Sequence, residues 1–155
     1  MITSSDNRNG PEIELLSFRI AEQEYCVDIM QVREIRGWTK ATPLPFAPPY
    51  VKGVINLRGT VLPVIDLSAR LGMAPACGDA RNVVIVVQLR GHTAGLLVEA
   101  VSDILAIAKA ELQPPPDAAI AGSGGYINAL TLVEDRLIRV LDLSAIFAFG
   151  AHEAA

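Results

Sequence analysis

Cysteine is scarce in this chain. Cys26 and Cys77 are the two in 155 residues, and they lack metal-ligand spacing. That excludes a disulfide framework and points to a reducing compartment. Aromatic residues make up 5% of the chain, and neither histidine, His92 or His152, has a second His or Cys at ligand spacing. A metal site is therefore not expected. No run of Lys or Arg occurs, and the net charge is −4. This balance speaks against nucleic acid as a partner. A single-strand nucleic-acid-binding barrel, the rival reading from another class, would need surface aromatics along a basic groove. No charged-then-apolar leader opens the chain, and no uncharged apolar run is long enough to span a bilayer. The expected location is the cytoplasm, without membrane insertion.

Catalytic signatures are missing as well. There is no phosphate loop, no Gly-x-Gly-x-x-Gly after a strand and no Gly-x-Ser-x-Gly elbow. Gly122-Ser-Gly-Gly125 reads as a linker. Asp66 and Asp142 look like paired carboxylates, but each precedes Leu-Ser-Ala. That position suits an oxygen that accepts from the free N–H groups of a helix start. Nothing demands an enzyme, and no cofactor is expected.

What is abundant is aliphatic: 51% of the residues are hydrophobic, mostly Val, Ile, Leu and Ala. This suits a strand-rich core in a chain of single-domain length. The clearest stretch runs Val51-Lys-Gly-Val-Ile-Asn-Leu-Arg-Gly-Thr-Val-Leu-Pro-Val-Ile-Asp66. It reads as a hairpin turning at Arg58-Gly59, with Gly59 supplying the positive φ. Both strands carry apolar residues on both faces, so the hairpin is expected to be covered on both sides. Arg58 is then an exposed tip on a rigid support.

The other expected elements fall around it. Residues 1–11 read as a mobile tail. Strands are expected over Ile13–Ile20 and Glu24–Val27. Asp28 is placed to cap a short helix, Ile29–Arg33, with Glu34-Ile-Arg-Gly37 leading out. Four prolines between Trp38 and Pro49 bar a central strand there. After a linker at Gly72–Ala80, strands are expected over Asn82–Leu89, His92–Val98 and Val101–Ala108. Gln113–Gly125 reads as loop. A last hairpin, Tyr126–Val133 with Arg136–Leu141, leads to a helix ending near Phe149.

The chain repeats itself. Val-Leu-Pro-Val-Ile-Asp-Leu-Ser-Ala ending at Ala69 matches Leu-Ile-Arg-Val-Leu-Asp-Leu-Ser-Ala ending at Ala145, and Ile29-x-x-Val32-x-Glu-Ile35 matches Val98-x-x-Val101-x-Asp-Ile104. Two half-units of short strands imply an all-β fold with short helices, built as two small barrels. On spacing alone, Glu34, Arg36 and Arg58 are either three solvated charges or a recognition patch beside apolar Val32, Ile35 and Leu57.

Three segments carry a resemblance: Glu34-Ile-Arg-Gly37, Val51-Lys-Gly-Val-Ile-Asn-Leu-Arg-Gly59 and Val61-Leu-Pro-Val-Ile-Asp-Leu67. Together they resemble the bacterial chemotaxis coupling family, CheW. The likeness runs from about Glu12 to Phe149, and implies one domain over residues 12–150 made of two five-stranded SH3-like barrels side by side, with a tail at 151–155. It also implies a scaffold that couples cytoplasmic chemoreceptor tips to the regulatory domain of the histidine kinase CheA, with self-association in array rings and recruitment to membrane-bound arrays. A chemotaxis-like pathway with a non-motility output is the alternative. Carried over by position, the resemblance implies partner-binding roles for Val32, Glu34, Gly53 and Arg58, with Asn56, Leu57 and Gly59 completing the hairpin motif; Ile35 and Arg36 join the expected site from the patch read on spacing.

Overall fold

The computed structural model describes residues 11–74, 81–115 and 125–147. Cys77, His152, most of Gly122–Gly125 and nearly all of both expected tails lie outside them. Among the described residues, ten strands form two five-stranded antiparallel-rich sheets. The strands are β1 Glu12–Ile20, β2 Gln23–Asp28, β3 Val32–Gly37, β4 Val51–Leu57, β5 Thr60–Asp66, β6 Val83–Leu89, β7 His92–Val98, β8 Ala100–Ala108, β9 Ile127–Val133 and β10 Arg136–Leu141. Two short helices, α1 Leu67–Arg70 and α2 Leu143–Phe147, follow β5 and β10.

Four tight turns join neighbouring strands. Both central residues have positive φ at Ala21-Glu22, Arg58-Gly59, Arg90-Gly91 and Glu134-Asp135. That geometry matches the right-handed twist of the flanking strands. The two aspartates cap as expected. Asp66 Oδ1 accepts from the Ala69 N–H at 3.4 Å, and Asp142 Oδ1 from the Ser144 N–H at 3.0 Å.

One sheet has the order β8-β1-β2-β10-β9 and the other β3-β6-β7-β5-β4. Each contains one parallel pair, β2 with β10 and β5 with β7. Each is closed into a barrel by a residue that follows its edge strand. Thr42, beyond β3, exchanges backbone hydrogen bonds of 2.8 and 2.9 Å with Val54 on β4. Gln113, beyond β8, does the same with Leu130 on β9 at 2.9 and 2.7 Å. Each bridge covers part of the edges that would invite pairing with another chain.

The repeat seen in the sequence does not give one barrel per half. The first half donates β1 and β2 to the barrel of β8, β9 and β10, and the second half returns β6 and β7 to the barrel of β3, β4 and β5. These exchanged hairpins are buried on both faces. Val84, Val86 and Leu97 fill the β3–β7 barrel, whereas Ile85, Val87, Leu96 and Val98 face a central core. Leu15 and Cys26 fill the other barrel, while Leu16, Phe18, Ile20 and Val27 meet that same central core. Each fully buried side chain of this kind contributes about 1.5–3 kcal/mol, so the junction between barrels is a main source of cohesion.

Two expectations need correction. The Ile29–Arg33 helix is a single 3-10 turn, Ile29–Gln31, and Val32 already starts β3. Asp28 does cap that turn, accepting from the Met30 N–H at 2.9 Å. Nor is the β4–β5 hairpin covered on both faces. Its base is buried through Leu62, Val64 and Ile65, but Val61 is 62% exposed and Asn56 faces solvent. β4 is an edge strand, and the tip half of the hairpin projects.

Candidate functional site

The site forms where the seam of the β3–β7 barrel meets the end of the β4–β5 hairpin. β3 and β4 are the two edges of their sheet, so barrel closure alone brings Glu34 and Arg58 together. Arg58 Nη2 donates to Glu34 Oε2. The tip is rigid by construction. Asn56 Oδ1 accepts from the Gly59 N–H at 2.9 Å, which fixes the turn that carries Arg58. The Arg58 side chain stays 70% exposed.

Electrostatics reinforce the pair. The hydrogen bond from Arg58 is the largest influence on Glu34 and holds its carboxyl below the usual carboxylate range, and the charges of Arg58 and Arg36 act in the same direction. The same bond raises the Arg58 guanidinium above its ordinary value. Arg36 stands 3.5 Å from Glu34 on the other side. Glu34 is thus an anion between two cations. It leaves one cationic tip turned outward, on a support that cannot easily bend.

Beside the pair lies an open cleft of about 320 Å³, with Leu57 and Leu62 among its lining and Arg33, Thr60, Gln88 and Thr93 completing it. Arg33 donates to the Gln88 side chain. The strand register slips between Val32 and Glu34, making Arg33 the extra residue of a bulge. Bulges re-aim side chains, and this one sits where β3 contributes both Arg33 and Glu34 to the cleft.

The expected site residues divide into groups. Glu34, Leu57 and Arg58 meet at the cleft. Ile35, 47% exposed, points to the opposite face of β3 from Glu34, and Arg36 flanks the carboxylate. Val32 is half-buried against the central core. Asn56 and Gly59 shape the turn. Gly53 is buried with φ of +147°, and a Cβ there would lie 2.2 Å from the Thr42 carbonyl oxygen. It makes room for the strand that closes the barrel, so any influence on partners runs through the fold. Residue-by-residue reading missed Arg33, Thr60, Leu62, Gln88 and Thr93. The sequence signal for them is adjacency alone: Arg33 adjoins Glu34, and Thr60 follows the Arg58-Gly59 turn.

Other chemistry is quiet. Burial pushes the Cys26 thiol up to about 12, which makes it unreactive near neutrality. Among the described residues no three His, Cys, Asp or Glu side chains are grouped to hold a metal ion, and no helix is long and apolar enough to cross a membrane.

The matching position in the other barrel differs. By the sequence repeat, Glu34 corresponds to Asp103 and Arg58 to Glu134. Two carboxylates cannot form the ion pair, so the arrangement is particular to one barrel.

Known proteins share this architecture. A family model described as a CheW-like domain matches residues 14–149. The chemotaxis protein CheW of Rhizobium meliloti (strain 1021) is 51% identical over 142 residues, spanning 92% of each chain. That of Klebsiella aerogenes is 32% identical over 135 residues, 87% of this chain and 81% of its own length. The crystal structure of the scaffolding protein TtCheW from Thermoanaerobacter tengcongensis superposes with a TM-score of 0.82 at 30% identity, over 88% of this chain and 93% of that one. The paired SH3-like barrels, the repeated hairpins and the match along nearly the whole described chain lead to one conclusion: this protein belongs to the CheW-like family.

Proposed function

We propose that the chain is a non-enzymatic adaptor that docks the regulatory domain of a CheA-type histidine kinase and the cytoplasmic tips of chemoreceptors. The observation that carries this reading is the Glu34–Arg58 pair across the barrel seam. It presents a fixed, exposed guanidinium beside a cleft lined in part by the apolar residues Leu57 and Leu62. Charged and apolar groups on a rigid support recognise a protein surface well, because little entropy is lost on binding. The family supports the same reading, since relatives carry the chemotaxis name and a solved neighbour is described as a scaffold.

In this reading each contact is modest, around micromolar or about −8 kcal/mol. Several copies held in one array, with self-association in rings, raise the effective affinity without new contacts. Signal passes only where the partners bind two states of the assembly unequally. The protein works in the cytoplasm and is recruited to membrane-bound receptors. Capture from cytosol plus membranes tests the reading. A histidine kinase and a chemoreceptor should elute together with the tagged chain, and elution of neither overturns it.

A further inference from the structure

We propose that Arg70 is the positioning residue that sets the angle between the two barrels. Its guanidinium carbon lies 4.3 Å from the ring centre of Tyr50 and 4.9 Å from that of Tyr126. The first ring precedes β4 in one barrel, and the second precedes β9 in the other. The two tyrosines occupy matched places in the repeat. The Tyr50 carbonyl accepts from the Asp66 N–H at 2.7 Å, and the Tyr126 carbonyl from the Asp142 N–H at 2.8 Å. The backbone of each tyrosine is therefore tied to the helix start of its own barrel, and one cation lies against both rings.

Arg70 also reaches across the junction by hydrogen bonds. Its Nε donates to the Ile146 carbonyl at 3.2 Å and its Nη2 to the Ala145 carbonyl at 3.3 Å. These are carbonyls near the end of α2, which favours a positive charge. The planar fork meets two aromatic faces and two carbonyls at once, which a lysine ammonium cannot reproduce.

The repeat shows why one such residue is enough. The position matching Arg70 in the second half is Ile146, which is fully buried in the central core. The remainder of that core is largely aliphatic, and apolar contact is non-directional. It holds the barrels together without fixing their rotation. Arg70 adds direction. An adaptor that holds two partners, as proposed above, needs that angle held, so Arg70 would act on docking without touching a partner.

The test needs no partner, so its failure leaves the docking reading where it stands. Nitroxides are attached at Arg90→Cys and Glu134→Cys, two exposed turn positions in different barrels, in a Cys77→Ser background. Buried Cys26 stays unlabelled. Pulsed dipolar spectroscopy should give one narrow distance distribution for the otherwise unaltered chain. With Arg70→Met the distribution should broaden or shift by several ångströms, while circular dichroism keeps its β signal. Arg70→Lys should fall between the two. An unchanged distribution in folded Arg70→Met overturns the proposal. Should that variant not fold, the same reading is taken from Arg70→Lys. Loss of folding in both also overturns it, because Arg70 would then be a requirement of the fold.

Discussion

Arg58 lowers the Glu34 pKa more than any other neighbour does. The folded pKa is depressed, so the pair's contribution to stability is present above the ordinary value of 4.5 and fades as the pH falls through the lowered one. A carboxyl-detected NMR titration should place the Glu34 midpoint below 4.5. In Arg58→Ala the midpoint should rise, though not fully, because Arg36 still faces the carboxylate. A midpoint indifferent to Arg58→Ala would mean that the pair does not exist in solution. The sequence made Glu34 and Arg58 legible as candidates through their motifs. It could not show them touching, since they stand 24 positions apart across a proline-rich loop and a strand, and only closure of the barrel joins the two edges.

Among the elements, the β4–β5 hairpin was readable because its turn chemistry is local. Asn56 and Gly59 bond each other across the turn, and Arg58-Gly59 supplies the two positive φ angles. The start of β3 was not readable. Ile29 and Val32 are three apart and imitate a helix, and the bulge at Arg33 breaks the alternation that marks a strand. Thr42, the closing residue, carries no signal in a loop of prolines. Gly53 shows what that closure demands. Gly53→Ala would place a methyl against the Thr42 carbonyl and strain the φ of +147°, and should cost about 3 kcal/mol. Urea unfolding measures it. A change within the error of that experiment would mean that Thr42 does not pack there.

For the molecule as a whole, the repeat was visible but the exchange of hairpins was not. Both arrangements bury the same strands, and which half supplies the partner depends on contacts far apart in sequence. The exchange has a consequence for folding. A break within Gly72–Ala80 gives one fragment with β1–β5 and another with β6–β10, and neither contains a full barrel. Each alone should show no cooperative thermal transition, and an equimolar mixture should regain one. A fragment that melts cooperatively by itself would contradict the observed strand order. The proposed docking would likewise be a property of the whole fold, since the cationic tip depends on a closed barrel to hold it. Its most direct measurement is calorimetric titration of the purified chain with the regulatory domain of a CheA-type kinase, using unaltered protein and Arg58→Glu. The account predicts micromolar binding that falls about tenfold or more in the variant, a loss of about 1.4 kcal/mol or more, with the melting temperature little changed. Equal affinity of the two proteins, both folded, would contradict it.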